Sequence, residues 1–363
     1  MKSSKRKLLN DRALAAQAVK TPVAEQLLIE EIPAVIGPRV LCTTLGRGQF
    51  AQVAAEYAPE SQVRCHCLDL YEAHAAESHC GTGPGKPLFE CSADFPSDEF
   101  DLVAIPVDPR GETELTRDLL QSGYDRLAEG GRLLTATSNP DDQWLHDEMR
   151  KLFDKVTRKP QRKKGVVYLA TRSGSLKKHK NFHCEFAFRD QERLFKVVSR
   201  PGVFSHRSLD AGARALMNTM QVGPGFKVLD VGCGSGTVSF AAAARAPEVK
   251  VVALDSHSRA VECTTLGATL NELPQVTAVL NDQGQAPDPG TYDLVLGNPP
   301  YYSNYQIAEI FLQAAVRALK PGGKVLIVAK SHAWYDERMP DLFDDVQQHL
   351  HKQYTVVEGT QRG

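Results

Sequence analysis

The sequence lacks an excess of charge of either sign. Lys and Arg number 43 and Asp and Glu 44 among 363 residues, a formal net charge of −1. A nucleic-acid partner must therefore be held by local basic patches, since there is no overall basic field to attract it. No apolar run approaches the length of a membrane-spanning helix, so no membrane partner is expected. The basic start, Met1 to Lys7, is not followed by the apolar stretch that a secretory signal requires, and the expectation is a cytoplasmic protein. Eight cysteines are present, but without framework spacing, and read as reduced cytosolic thiols. The remainder, 42% hydrophobic and 24% charged, is a globular composition long enough for two domains.

What is present is a repeat. Arg39-Val40-Leu41-Cys42 reads as a strand running into Thr43-Thr44-Leu45-Gly46-Arg47-Gly48. Lys227-Val228-Leu229-Asp230 runs in the same way into Val231-Gly232-Cys233-Gly234-Ser235-Gly236. Leu68-Asp69 matches Leu254-Asp255, and Phe100-Asp101-Leu102-Val103 matches Tyr292-Asp293-Leu294-Val295. Gly130-Gly131-Arg132-Leu133-Leu134 matches Gly322-Gly323-Lys324-Val325-Leu326, all at offsets of 186 to 192 residues. Ordered matches at a nearly constant offset predict an internal duplication. Apolar strand-like runs alternate with helical stretches, Thr113 to Leu127 in the first copy and Ile307 to Leu319 in the second. The fold class expected is α/β: two tandem Rossmann-like domains, 1–175 and 176–363, each a doubly wound, mostly parallel sheet. A hairpin is expected after the linker, from Phe182 to Phe188 and Arg193 to Val198, where aromatic and polar residues alternate.

The copies are not equivalent. Where the second has Asp230-Val231-Gly232, the first has Cys42-Thr43-Thr44. Where the second has Asn298-Pro299-Pro300-Tyr301, the first has Pro106-Val107-Asp108-Pro109. The first copy keeps residues that build a fold and lacks those suited to chemistry, so support and RNA contact are its expected roles.

Asn298 to Tyr301 follow a strand-like run. Two consecutive prolines fix φ and supply no N–H, which holds a rigid, non-helical turn. The turn sets an amide oxygen (Asn298), a bare carbonyl (Pro299) and a ring (Tyr301) side by side. Two acceptors and a stacking surface suit a planar group that carries an amino group. Upstream, Gly232, Gly234 and Gly236 join a strand to an Ala-rich helix and permit close approach of a ligand, a dinucleotide or S-adenosylmethionine. Asp255 closes the next strand, placed to accept both ribose hydroxyls. Asp282 follows the strand after that, in position to accept from an adenine amino group, with Asn281 and Gln283 as near-register alternatives.

The order of these features resembles the class I S-adenosylmethionine-dependent methyltransferases that modify amino nitrogens. Pro201-Gly202-Val203-Phe204-Ser205, Leu209-Asp210-Ala211-Gly212 and Ile327-Val328-Ala329 narrow the resemblance to the ribosomal RNA guanine-N2 methyltransferases, tandem duplications with a degenerate first copy. The resemblance implies a cofactor, S-adenosyl-L-methionine, held by Asp230, Gly232, Gly234, Gly236, Asp255, Asn281, Asp282 and Asn298, with Asp230 at the methionine ammonium. It implies Asn298, Pro299 and Tyr301 as the catalytic set, and ribosomal RNA or a ribosomal subunit as partner. The family usually has Phe where Tyr301 stands. Tyr there also occurs in enzymes that methylate adenine N6 or a glutamine amide, which remain alternatives. A non-catalytic RNA-binding or assembly factor is the alternative of another class.

Other features carry plainer readings. Cys65, His66, Cys67, His79, Cys80 and Cys91 are read as core and surface residues, with no metal expected, because the repeat places Cys65 and Cys67 within a strand. His206, between Ser205 and Arg207, is expected at the surface, with a place lining the methionine pocket as the alternative. Trp334 and Tyr335 are read as either an RNA-stacking pair or a cap on the sheet. The basic runs Arg158 to Lys164 and Lys177 to Lys180 are candidates for phosphate contact.

Overall fold

The computed structural model describes residues 20–159, 163–176, 178–300 and 305–363. Tyr301 lies outside the described residues, as do Arg162 and Lys177 of the basic runs. The chain forms two compact units. One runs to Cys67 and resumes from Glu72 to Lys180; the other is Leu68–Tyr71 together with Asn181–Gly363.

In chain order the first unit contains α1 (Val23–Ile29), α2 (Ile32–Val35), β1 (Arg39–Cys42), α3 (Gln49–Tyr57), β2 (Gln62–Cys67), α4 (Leu70–Cys80, counted with this unit from Glu72) and β3 (Leu88–Cys91). It continues with β4 (Phe100–Val107), α5 (Thr113–Arg126), β5 (Leu127–Thr137), α6 (Trp144–Leu152), β6 (Val156–Arg158) and β7 (Val166–Thr171). Its sheet order is β3-β2-β1-β4-β5-β7-β6, parallel through β5 and antiparallel at β7 and β6.

The second unit opens with the hairpin β8 (Cys184–Asp190) and β9 (Arg193–Ser199). Then come α7 (Ala211–Thr219), β10 (Lys227–Val231), α8 (Thr237–Ala244), β11 (Lys250–Asp255), α9 (Ser258–Leu270), β12 (Val276–Leu280) and β13 (Tyr292–Gly297). The unit ends with α10 (Gln306–Ala318), β14 (Leu319–Ala329), α11 (Ala333–Leu342), β15 (Phe343–His351) and β16 (Tyr354–Gln361). Its sheet, β12-β11-β10-β13-β14-β16-β15, repeats the first in order and in strand direction. Each sheet has a hydrophobic core on both faces, as the near-continuous apolar runs of its central strands require.

The repeated residues do the same work in both units. Arg39 N donates to Asp101 Oδ2 at 3.0 Å, and Lys227 N donates to Asp293 Oδ2 at 2.8 Å, so one aspartate ties the start of the first strand to the fourth in each copy. Gly131 and Gly323 back onto the carbonyls of Phe100 and Tyr292. A Cβ at either would lie 2.9 Å from that oxygen. These residues set the fold and carry no chemistry, which is why they persist in both halves.

The first unit has closed the loop that follows β1. The fully buried Glu25 carboxylate accepts from Phe50 N at 2.9 Å, Leu45 N at 3.3 Å and Thr44 Oγ1 at 3.0 Å. It thus occupies the N-terminal end of α3 with a side chain of the unit itself. Burial raises its pKa above the ordinary carboxylate value. Gly48 packs on Phe89, whose ring a Cβ would meet at 2.5 Å. Glu25→Ala leaves these donors buried and unpaired, and is expected to lower the stability of the first unit by roughly 2–4 kcal/mol. Glu25→Gln, which keeps one acceptor, is expected to lose less. Thermal denaturation of the two variants checks the order.

Cys42, Cys65 and Cys67 lie together in one core of this unit. His66 turns the other way, its Nε2 2.8 Å from Ser92 O and its ring edge-on to Phe95. Two cations of the first basic run are engaged within the unit. Arg158 donates to Pro140 O at 2.9 Å, and Lys159 Nζ lies 3.2 Å from Glu31 Oε2. Lys163, Lys164, Lys178 and Lys180 are exposed.

Candidate active site

In the second sheet β10 lies between β11 and β13, and the chain changes direction across the sheet at that point. A crevice at the carboxyl ends of parallel strands at such a switch point is the usual ligand position in an open α/β sheet. The loop after β10, the end of β11, the turn after β12 and the turn after β13 all stand on that edge. Register pairs Asp230 with Leu296 and Val231 with Gly297, so the glycine loop and the Asn298 turn leave adjacent strands at the same level. They also share a support. A Cβ at Gly232 would lie 2.6 Å from the Phe311 ring, and one at Gly297 would lie 2.8 Å from it. Phe311, on α10, fixes both loops from beneath.

The three glycines of the loop have different tasks. Each has positive φ, 73° at Gly232, 55° at Gly234 and 84° at Gly236. Gly232 is pressed on Phe311, and a Cβ at Gly236 would lie 2.5 Å from Phe240. Close ligand approach was expected of all three, but only Gly234 faces open space, with nothing within 4 Å of a Cβ built there. Gly232→Ala and Gly236→Ala are therefore expected to lower stability, while Gly234→Ala keeps the fold at a strain of about 1 kcal/mol and weakens ligand binding. Melting temperature and calorimetric affinity measured together separate the two classes.

Asp255, half-buried, holds this loop. Its Oδ2 accepts from Gly234 N at 2.8 Å and its Oδ1 from His257 N at 2.9 Å. A carboxylate oxygen has a second lone pair, so both remain able to accept from a ligand. Burial pushes its pKa up to about 6. Asp230 is buried at the end of β10 and accepts from Ser239 Oγ on α8 at 2.5 Å. Burial pushes its pKa up to about 7, and the Asp255 charge adds to the rise. After β12, Asn281 makes a turn of its own: Oδ1 accepts from Gln283 N at 3.0 Å and Gln285 N at 2.9 Å. The Asn281 side chain is thereby engaged in structure, and the half-buried Asp282 beside it stands at the loop surface.

Asn298 is half-buried and Pro299 buried at the end of β13. Asn298 Nδ2 donates to Asp210 Oδ2 at 2.8 Å. The same Asp210 oxygen accepts from Ala213 N at 2.9 Å and caps the N-terminus of α7. Gly212 makes room for this group: a Cβ there would lie 2.8 Å from Asp210 Oδ2 and 2.9 Å from Asn298 Oδ1. The sequence contains Asp210 and Gly212 within a motif but assigns them no task. The cap, an Asp three residues before a helical N–H, is the one local signal that marks Asp210.

Trp334 and Tyr335 turn out to be unlike. Tyr335 is buried, while Trp334 stacks on Tyr305 with centroids 4.8 Å apart and planes 8° from parallel. Tyr305 caps α10 at φ 62° and is 39% exposed, next to the Asn298 turn in sequence. His206, expected at the surface, is buried, with Nδ1 3.0 Å from Ser199 Oγ at the end of the hairpin. Phe204, in the loop before Asp210, is 61% exposed.

Residues 194–358 match the methyltransferase small domain family. The span begins in β9 and ends in β16, so it contains every element of the site. The chain is 36% identical over 168 residues to ribosomal RNA small subunit methyltransferase C of Pseudomonas aeruginosa, which covers 45% of this chain and 48% of that protein. It thus spans about half the length of such relatives. Ribosomal RNA large subunit methyltransferase G of Photobacterium profundum is 28% identical over 277 residues, 73% of this chain and 71% of the relative. Among solved structures, a T. thermophilus 16S rRNA N2 G1207 methyltransferase in complex with AdoMet and guanosine superposes with a TM-score of 0.78. It covers 95% of this chain and 94% of its own at 21% identity. The fold is shared over nearly the whole chain, and the sequence match to the large subunit methyltransferase extends over more residues than either half contains.

The donor set fits S-adenosylmethionine. Gly234 leaves open space at the loop, Asp255 offers a partly exposed carboxylate for a diol, and a second carboxylate, Asp230, lies beneath the loop.

Proposed function

We propose that this protein transfers a methyl group from S-adenosylmethionine to the N2 amino group of guanine in ribosomal RNA, presented free or within a ribosomal subunit. The observation that carries the reading is the Asn298 amide, whose Nδ2 is held by Asp210 at the carboxyl edge of the sheet, on the strand adjacent to the glycine loop. The cofactor supplies an electrophilic sulfonium methyl. Asp255 binds the ribose hydroxyls, Asp282 lies on the adenine side, and Asp230, at the ammonium end, acts directly or through water.

The guanine amino group is a weak nucleophile because its lone pair is delocalised into the ring. Asn298 Oδ1 and the Pro299 carbonyl accept its two N–H bonds and turn the lone pair toward the methyl carbon. Tyr301 stacks on the base. Orientation of two bound reactants can contribute up to about 7–11 kcal/mol. No strong general base is needed, since the amine becomes cationic on methylation and then releases a proton to solvent. Extrusion of a paired base costs roughly a few kcal/mol, which the first unit and the exposed lysines help to offset by holding RNA.

Among the described residues no helix is long and apolar enough to cross a membrane. A cytoplasmic location agrees with an RNA substrate. Labelled methyl transfer into naked ribosomal RNA, assembled subunits and bulk protein tests the reading. Label is expected in RNA or subunit RNA. Label in protein alone, or cofactor binding without transfer, would overturn it.

A further inference from the structure

We infer that Asp210 is a positioning residue for methyl transfer: it locks the Asn298 amide so that only Oδ1 can face the acceptor amino group. This inference rests on the proposed reaction and deepens it.

An asparagine amide has nearly the same shape in either flip, so shape alone does not decide which end meets a ligand. Asp210 decides it here. A carboxylate accepts and does not donate, and its Oδ2 lies 2.8 Å from Asn298 Nδ2. The opposite flip would set Oδ1 against Oδ2, two acceptors in repulsion. Asp210 is itself fixed, because the same oxygen caps α7 through Ala213 N at 2.9 Å. Gly212 keeps the space beside Asp210 Oδ2 and Asn298 Oδ1 clear of a side chain.

The lock also carries charge. A hydrogen bond from Nδ2 to a carboxylate polarises the amide and strengthens Oδ1 as an acceptor. As methyl transfer proceeds, the amino nitrogen gains positive charge. The Asp210 charge, relayed through one amide, favours that change over the neutral ground state. Its effect therefore belongs in kcat more than in KM.

Asp210→Ser separates this task from helix capping, since serine is a good N-cap but is too short to hold Asn298 as well. We expect its fold and cofactor affinity to match the parent, RNA KM to change little, and kcat to fall about 10- to 100-fold, the worth of one charge-assisted hydrogen bond. Asp210→Asn keeps an acceptor oxygen but loses the charge and gains a donor, and is expected to recover only part of that loss. A second readout needs no turnover. The 15N-labelled side-chain amide of Asn298, assigned by its loss in Asn298→Ala, should show downfield protons in the parent. It should move toward free-amide values in Asp210→Ser. Parent-like kcat in Asp210→Ser on an RNA that the parent methylates, or free-amide shifts in the parent itself, would overturn the lock. If the parent does not methylate RNA at all, the proposed function fails, and the amide shift still reports on the lock.

Discussion

Asn298→Ala is expected to reduce turnover by about 10²- to 10³-fold, the usual cost of removing one preorganised hydrogen-bonding group aimed at developing charge. Cofactor affinity should remain within about twofold, because the change leaves Gly234 and its Asp255 anchor in place. Fold stability should fall little, since Asn298 is only half-buried. Its Asp210 partner keeps a second bond at Ala213 N. Single-turnover rates and calorimetric cofactor titration of the same preparation check both halves. A loss of affinity as large as the loss of rate would make Asn298 a cofactor residue and remove it from the acceptor side.

Asp255→Ala is expected to show the reverse. It deletes the carboxylate proposed for two ribose hydroxyls and also releases Gly234 N, so cofactor affinity should fall by about 10²- to 10³-fold, two charge-assisted hydrogen bonds at roughly 1.5–3 kcal/mol each, less partial compensation by water. The pH dependence has a definite sign. Asp255 in the free protein titrates at about 6, and the bound hydroxyls favour its charged form. Affinity is therefore full above that value and declines below it, by at most about tenfold per pH unit for one proton. Asp230, at about 7, adds an earlier decline if it meets the ammonium. Asp255→Asn should remove the step near 6 and move the Asp230 step downward, because the Asp255 charge contributes to its rise. A titration that is flat from pH 8 to 5 would mean that neither carboxylate serves the cofactor.

The repeat was legible because its landmarks are local. The strand motifs that contain Asp101 and Asp293, the glycine pairs ending at Gly131 and Gly323 and the glycines that open α3 and α8 each lie within a short strand-turn or turn-helix segment. The Asn-Pro-Pro turn was legible for the same reason. Partnerships that span the fold were not. Asp210 and Asn298 are 88 positions apart, and nothing near either residue announces the other. Nothing local marks Glu25 either: its closure of the loop after β1 depends on the packing of α1 against α3. The different tasks of Gly232, Gly234 and Gly236 depend on Phe311 and Phe240, which no spacing rule connects to them. His206 was read as a surface residue because its neighbours Ser205 and Arg207 are polar, whereas it is buried with Nδ1 3.0 Å from Ser199 Oγ at the end of the hairpin.

The loop after β1 in the first copy is filled from within the unit. Glu25 fills the end of α3 with an internal carboxylate, and Phe89 fills the space beside Gly48. Calorimetric titration is therefore expected to give one cofactor per chain.

The most direct test is chemical. Ribosomal RNA treated with the protein and labelled S-adenosylmethionine is digested to nucleosides and separated. The account predicts label in N2-methylguanosine, absent with Asn298→Ala. Label in N6-methyladenosine, or in N2-methylguanosine at the parent rate with Asn298→Ala, would contradict it.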